Sequence, residues 1–153
     1  MLRKCLPVVG LLACVAVAVP VLAQFGHPLK GSWSGEWREN ATTEHRVLLE
    51  FTWEGKYNSS PEGGVLSGTL NPGTDSAPLT NLKLTPPPGG VANADAPWEL
   101  HFEATVKDTA GNPVKVIADG FLENIGAYKR FIHGSWQQGN RKGPFRVVAN
   151  YGL

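Results

Sequence analysis

The chain has 153 residues, with 14 Lys or Arg against 13 Asp or Glu, so its formal net charge is +1 at neutral pH. This balance, with both signs interspersed, does not favour a partner such as nucleic acid or an anionic membrane surface. The length suits one ordinary domain with enough chain to bury a core.

The first 23 residues predict a cleavable signal peptide. Two basic residues precede an apolar run that ends at Leu22, and Ala23 supplies the small residue that signal peptidase requires. The run approaches the roughly 20 residues that span a bilayer, but its Pro and Gly residues favour removal. We expect cleavage after Ala23, which leaves residues 24–153 as a single secreted or periplasmic domain with no membrane span.

A second processing route remains open at Cys14. The sequence Leu11-Leu12-Ala13-Cys14 resembles the lipobox at which bacterial lipoproteins are cleaved and lipidated, which would anchor the protein to a membrane. The apolar stretch before Cys14 is short for this purpose, and an apolar segment follows it where a polar tether is usual. On either route the mature domain has no cysteine pair, so no intrachain disulfide or Cys-based zinc site can form.

Alternation of apolar and polar residues predicts an all-β domain. The clearest strand runs from Trp98 to Lys107, where every second residue is apolar and the residues between them are polar or charged. Clusters of Gly, Pro and Asn separate the strands and supply turns. Eight strands are predicted, near residues 31–38, 45–54, 64–71, 79–85, 98–107, 113–122, 127–137 and 144–151.

The link from Pro86 to Pro97 differs from the short turns. Its prolines cannot donate backbone hydrogen bonds, so it must lie outside the sheet. It is either a rim loop over an opening or a passive surface connection.

Eight strands joined mainly by short links leave unpaired sheet edges unless the sheet closes or doubles over. We therefore predict an eight-stranded antiparallel up-and-down barrel, with a two-sheet β-sandwich as the alternative. Face assignment places all five tryptophans inside, together with several glycines. The glycines either receive the indole rings or leave room for a ligand, and the sequence does not choose between these.

The motif Gly31-Ser32-Trp33 opens the first predicted strand, and Gly134-Ser135-Trp136 lies in the seventh. In this Gly-x-Trp motif, its strand count and its size, the chain resembles the calycin group of small barrels, which includes the lipocalins, the avidins and bacterial metalloprotease inhibitors. The resemblance implies that an arginine near the last strands, Arg146 or Arg130, packs across Trp33 and closes one end of the barrel.

The chain departs from these families in three respects. No helix pattern follows its last strand as in lipocalins, and no disulfide like that of the inhibitors can form in the mature domain. The residues Ser34-Gly35-Glu36 do not match the polar residues that follow the motif in avidins, so biotin binding is not expected.

The leading functional hypothesis is a non-enzymatic binding barrel that holds a small apolar or amphipathic ligand among its indole rings. An arginine close to the C-terminal hairpin would meet an anionic head group at one barrel end. The predicted ligand-binding residues are Trp33, Trp37, Trp53, Trp98, Trp136 and Arg130. Plain core packing explains the same tryptophans without a ligand.

Two alternatives to this hypothesis involve other binding surfaces. The first is a protein-interaction or protease-inhibitor module that acts through the segment Gln24 to Lys30 and the rim loops. The second is a carbohydrate-binding sandwich, which would require tryptophans in a flat outward-facing row.

An enzyme is the third hypothesis, ahead of the carbohydrate-binding sandwich. His101 stands between Glu99 and Glu103 on one strand face, which could form an acid–base or metal pair, but alternating charges are also what an exposed strand surface requires. No catalytic signature, phosphate-binding loop or metal-ligand spacing occurs. We therefore assign no catalytic residue, metal or cofactor from the sequence.

Overall fold

The computed structural model describes residues 27–55, 64–90, 93, 95–127 and 129–150, so the predicted signal peptide, its cleavage site and Cys14 lie outside the described residues. Within these ranges the chain forms nine strands: β1 (Gly31–Arg38), β2 (Glu44–Glu54), β3 (Val65–Leu70), β4 (Ala77–Pro78), β5 (Thr80–Thr85), β6 (Trp98–Lys107), β7 (Pro113–Glu123), β8 (Phe131–Gln138) and β9 (Arg141–Asn150). All paired strands are antiparallel, which confirms the predicted class.

The alternation that predicted the strands corresponds to the two faces of the sheet. In β6, Leu100, Phe102 and Ala104 are buried, His101 and Glu103 between them are half-buried, and Glu99 and Thr105 on either side are exposed. Successive side chains of a strand point to opposite faces, so one face of each strand can stay dry.

The sheet curls into a nearly closed barrel with the strand order β4-β3-β2-β1-β9-β8-β7-β6-β5. Its two ends, β4 and β5, are separated only by Leu79, whose N–H donates to the carbonyl of Gly68 at 2.8 Å. One continuous stretch therefore pairs first with β3 and then with β6. The positive φ of Asn81, at a register shift in β5, marks the irregularity that accompanies this change of partner.

Two boundaries differ from the sequence prediction. The fourth predicted strand, 79–85, corresponds to β5, and the additional short strand β4 precedes it, which gives nine strands rather than eight. The last hairpin has only Gly139 and Asn140 between its strands, although the predicted strands 127–137 and 144–151 left residues 138–143 between them. Pro144 is tolerated in β9 because the pairing of β9 with β1 extends only from Asn150 to Phe145.

The interior is filled with apolar side chains. Four of the five tryptophans are buried, and Trp53 is half-buried. The core also contains residues from every strand except β5, whose Leu82 and Leu84 pack against it. The largest fully buried side chains include Trp33, Trp37, Trp98, Phe51, Phe102, Leu49, Leu122 and Ile132. This packing stabilises the barrel without disulfides.

The inward-facing glycines allow backbone and rings to approach closely. Gly120 and Gly134 stand opposite each other on β7 and β8, and Phe145 of β9 is the next neighbour of Gly134. A Cβ on Gly134 would overlap the backbone of Asp119 and Gly120, and one on Gly120 would lie 3.2 Å from the Phe145 ring. The space that side chains at Gly120 and Gly134 would occupy is therefore filled by neighbouring backbone and by the Phe145 ring.

This geometry predicts that Gly134→Ala destabilises the protein by about 2–3 kcal/mol, because the added methyl forces the backbones of β7 and β8 apart. Ser135→Ala, one residue along on the exposed face, serves as the control and should change stability by less than about 0.5 kcal/mol. Urea unfolding of both variants measures the difference. Equal stabilities would contradict the close backbone approach.

Candidate functional site

Because neighbouring strands are antiparallel, each link between strands lies at one of the two ends of the barrel. The plugged end, defined by the buried residues His27 to Leu29, also carries the links from β2 to β3, β5 to β6 and β7 to β8. The opposite end, called the mouth here, carries the links from β1 to β2, β3 to β4, β6 to β7 and β8 to β9. The proline-rich link after Thr85 therefore lies at the plugged end and does not cover the mouth.

Three residues before β1 form the plug. Leu29 is fully buried, and its carbonyl accepts a hydrogen bond of 2.8 Å from Nε1 of Trp33. The guanidinium of Arg130 donates to the carbonyl of Pro28, and Leu29 N–H donates to Nδ1 of His27 at 3.2 Å. This part of the predicted interaction tail is therefore built into the barrel end, while residues 24–26 lie outside the described residues.

The two arginines considered for closing the barrel occupy different surfaces. Arg130, which immediately precedes β8, lies at the plugged end through its bond to Pro28. Arg146 lies on the outer wall, where its guanidinium stands 4.7 Å from the ring centre of Phe131. Arg146 is therefore not the arginine at the plug.

The mouth contains a cavity of about 390 Å³. Its apolar lining consists of Trp37, Leu70, Val106 and Trp136. Its polar lining consists of Glu44, His45, Arg46, Asn71, Lys107 and Gln138. Trp37, Leu70 and Trp136 are each only 2% exposed and form the floor, whereas Glu44, Arg46 and Lys107 are exposed and form the rim.

The two indole rings of the floor are held by aromatic neighbours. Trp37 and Trp136 are nearly parallel, with ring centres 6.3 Å apart. Trp37 also stacks on His45 at 4.4 Å, while Phe102 and Phe145 pack against Trp136 with centres 6.0 and 5.7 Å away. These contacts fix the orientation of both indoles before any ligand arrives.

One polar group of the floor has no partner. Nε1 of Trp136 is buried and makes no hydrogen bond to any described residue. A buried donor without an acceptor costs about 1–3 kcal/mol relative to a satisfied one. Because this atom is fully shielded, an acceptor from outside could reach it only if side chains of the floor moved.

The rim charges differ in how they are neutralised. Glu44 pairs with Arg38 at 2.7 Å, and Arg38 also contacts Glu36 at 2.6 Å. The hydrogen bond to Glu36, together with the charge of Glu44, raises the pKa of the Arg38 guanidinium. By contrast, Arg46 and Lys107 make no ion pair within the described part of the chain. The unpaired charges that line the cavity are therefore positive.

The structure does not bring the six predicted ligand-binding residues into one site. Trp37 and Trp136 line the mouth cavity, whereas Arg130 and the other three tryptophans do not. Trp33 belongs to the plugged end, Trp98 pairs with Leu122 close to it, and Trp53 lies 6.0 Å from His27 between ring centres.

Sequence reasoning missed the polar half of the mouth lining. Arg46, Lys107 and Gln138 lie at strand termini that are far apart in the chain. The available signal was topological, because in an up-and-down barrel of the eight predicted strands the ends of the odd-numbered strands meet the starts of the even-numbered strands at one rim.

The histidine candidates for catalysis lie mainly on the outer wall. His101 is 2.6 Å from Asp119 on the neighbouring strand, instead of pairing with Glu99 or Glu103 of its own strand. His133 is 2.6 Å from Glu123, also on the outside of the sheet. Among the described residues, no group of three or more His, Cys, Asp or Glu side chains is placed to hold a metal ion.

Comparisons with protein-family models, with curated proteins and with solved structures found no match to this chain. No helix in the described ranges has the length and apolar character needed to cross a membrane.

The plug predicts a specific pH dependence of stability. Burial lowers the pKa of His27 from 6.5 to about 4, because the charged imidazolium would lose its hydration. Between these two pH values the unfolded chain binds a proton that the folded chain does not. Stability should therefore fall as the pH drops from 6.5 to 4, by up to about 3 kcal/mol.

The variant His27→Phe isolates this effect, because it lacks the titrating group but keeps a ring beside Trp53. The difference in unfolding free energy between the wild type and this variant, measured in urea from pH 7.5 to 3.5, should change across the same window. A difference that is constant with pH would contradict the burial of His27.

Proposed function

We propose that this chain is an exported, non-enzymatic binding protein that holds a small amphipathic ligand in the mouth of its barrel. The cavity of about 390 Å³ above Trp37 and Trp136 carries the proposal. Its volume falls within the range of about 300–1,000 Å³ that is usual for small-molecule sites. The ligand would lie in the open part of the mouth, above the buried rings of Trp37 and Trp136, and its polar end would reach the charged rim.

The packed interior supports an amphipathic ligand over a purely apolar one. Phe102, Ile132 and Val147 are fully buried in the barrel, and Trp33 and Trp98 are almost completely buried. A ligand among these side chains would have to displace close-packed groups, which costs stability. The mouth is already open, and its accessible lining is mainly polar and charged, which suits a ligand with a polar part.

The location and family relationship are parts of the same proposal. The charged start and apolar run of residues 1–23 support export, with lipid attachment at Cys14 as the alternative. The motif Gly31-x-Trp33 at the start of an antiparallel barrel, and an arginine at the plugged end, support a relationship to the calycins.

Native mass spectrometry of the protein taken from its own host, kept folded throughout, tests the proposal. We expect a reproducible extra mass that is lost on denaturation. Gln138 lines the mouth, and Gln138→Trp should reduce the bound fraction at least about tenfold by filling the cavity. Gln137→Trp is the matched control, because Gln137 is the adjacent residue of β8 and does not line the cavity.

The control should retain the extra mass at the wild-type level, and circular dichroism should show that both variants are folded. A wild-type protein that repeatedly emerges without any bound mass would contradict the proposal. So would a bound mass that Gln138→Trp leaves unchanged, because the ligand would then lie elsewhere.

A further inference from the structure

We infer that the segment just before His27 docks on an apolar seam in the barrel wall, and that Phe25 is the side chain that covers it. The seam lies between β3 and β5 at the plugged end, opposite the mouth, and is defined by Leu66, Leu82 and Leu84. Three observations carry the inference: two strand edges without partners, half-buried apolar side chains beside them, and the place where the described chain begins.

The barrel wall is not continuously hydrogen-bonded between β3 and β5. β3 pairs with β4 only at Thr69 and Leu70, and the N–H of Leu79 adds one bond to Gly68. Nearer the plugged end, the stretch from Val65 to Ser67 pairs only with β2, and β5 pairs only with β6, among the described residues. Such unpaired edges can accept a further segment of chain.

The apolar side chains along this gap are not fully covered. Leu66, Leu82 and Leu84 pack against the core but are only half-buried. By contrast, the core residues Leu100 and Phe102 of the neighbouring β6 are at most 3% exposed. The seam therefore leaves apolar surface that one more side chain could remove from water.

Trp53 connects the seam to the plug. It is the cross-strand neighbour of Leu66, and a Cβ on Gly64 would overlap its indole, so the ring lies against the base of β3. The ring centre of His27 is 6.0 Å from that of Trp53, yet Trp53 stays half-buried. His27 therefore covers only part of the indole, and the described chain begins beside the part that remains.

The chain before His27 has the chemistry and the reach to cover the seam. Phe25 is the one large apolar residue between the predicted cut after Ala23 and His27, and both processing routes retain it. Two residues of extended chain span at most about 7 Å, so Phe25 stays within reach of Trp53 and Leu66. Its ring would bury apolar area on both surfaces.

Solution NMR of the mature protein, with labelled leucine methyls and phenylalanine rings, tests this docking. We expect nuclear Overhauser contacts between the Phe25 ring and the methyls of Leu66. A soluble nitroxide should relax the methyls of Leu66 and Leu84 at least about twofold faster in Phe25→Ser than in the wild type, because solvent then reaches the seam. Leu49 is 1% exposed, so its methyls serve as the internal reference and should not change.

Two variants separate the ring from the rest of the segment. Gln24→Ser is the matched control, because it changes the adjacent residue and keeps Phe25. Its methyl relaxation should equal that of the wild type. Phe25→Leu keeps an apolar side chain and should retain most of the protection of Leu66 and Leu84.

Two results would overturn the inference. The first is an absence of contacts from Phe25 to the seam, with Phe25→Ser leaving the relaxation of Leu66 and Leu84 at wild-type values. The second is contacts to the seam that appear only at high protein concentration, which would place a second copy of the chain there. Either result leaves the proposed function untouched, because the seam and the mouth lie at opposite ends of the barrel.

Discussion

The close approach of β7 and β8 at Gly120 and Gly134 determines how this barrel is filled. Without side chains at these two positions, Phe145 packs over the pair and reaches Trp136. Trp136 in turn lies against Trp37 and Phe102. Truncation of a large aromatic in such a core typically costs about 3–5 kcal/mol, so each contact in this series contributes to stability as well as to shape. The floor of the mouth is therefore the upper surface of the core.

The two barrel ends differ because different chemistry covers them. At the plugged end, backbone carbonyls of the segment before β1 receive donors from Trp33 and Arg130, and His27 is buried without charge at neutral pH. At the mouth, the buried rings of Trp37 and Trp136 close the core, and exposed charged side chains surround the cavity above them. A ligand that uses both the floor and the rim must carry an apolar part and a polar part, which is the basis of the proposed function.

Most of the fold could be predicted from the sequence, whereas only part of the candidate site could. The alternation of apolar and polar residues in β6 predicted both the ends of the strand and its buried face, since this pattern depends on local strand geometry alone. The short strand β4 before Leu79 could not be predicted, because the change of partner from β3 to β6 depends on closure of the whole sheet. The inward direction of Trp37 and Trp136 was predictable, but their separation from Trp33, Trp53 and Trp98 required the packing of side chains. Arg46 and Lys107 are far apart in the chain, and only the strand topology brings them to the same end of the barrel.

A crystal structure of the protein purified from its own host without unfolding would test the central claim most directly, which is that the barrel is packed inside and binds its ligand at the mouth. The account predicts continuous density for a small molecule against Trp37 and Trp136, with its polar end towards Arg46 and Lys107, and unchanged packing around Phe102. Ligand density between Trp33 and Trp98, with the core side chains displaced, would contradict it.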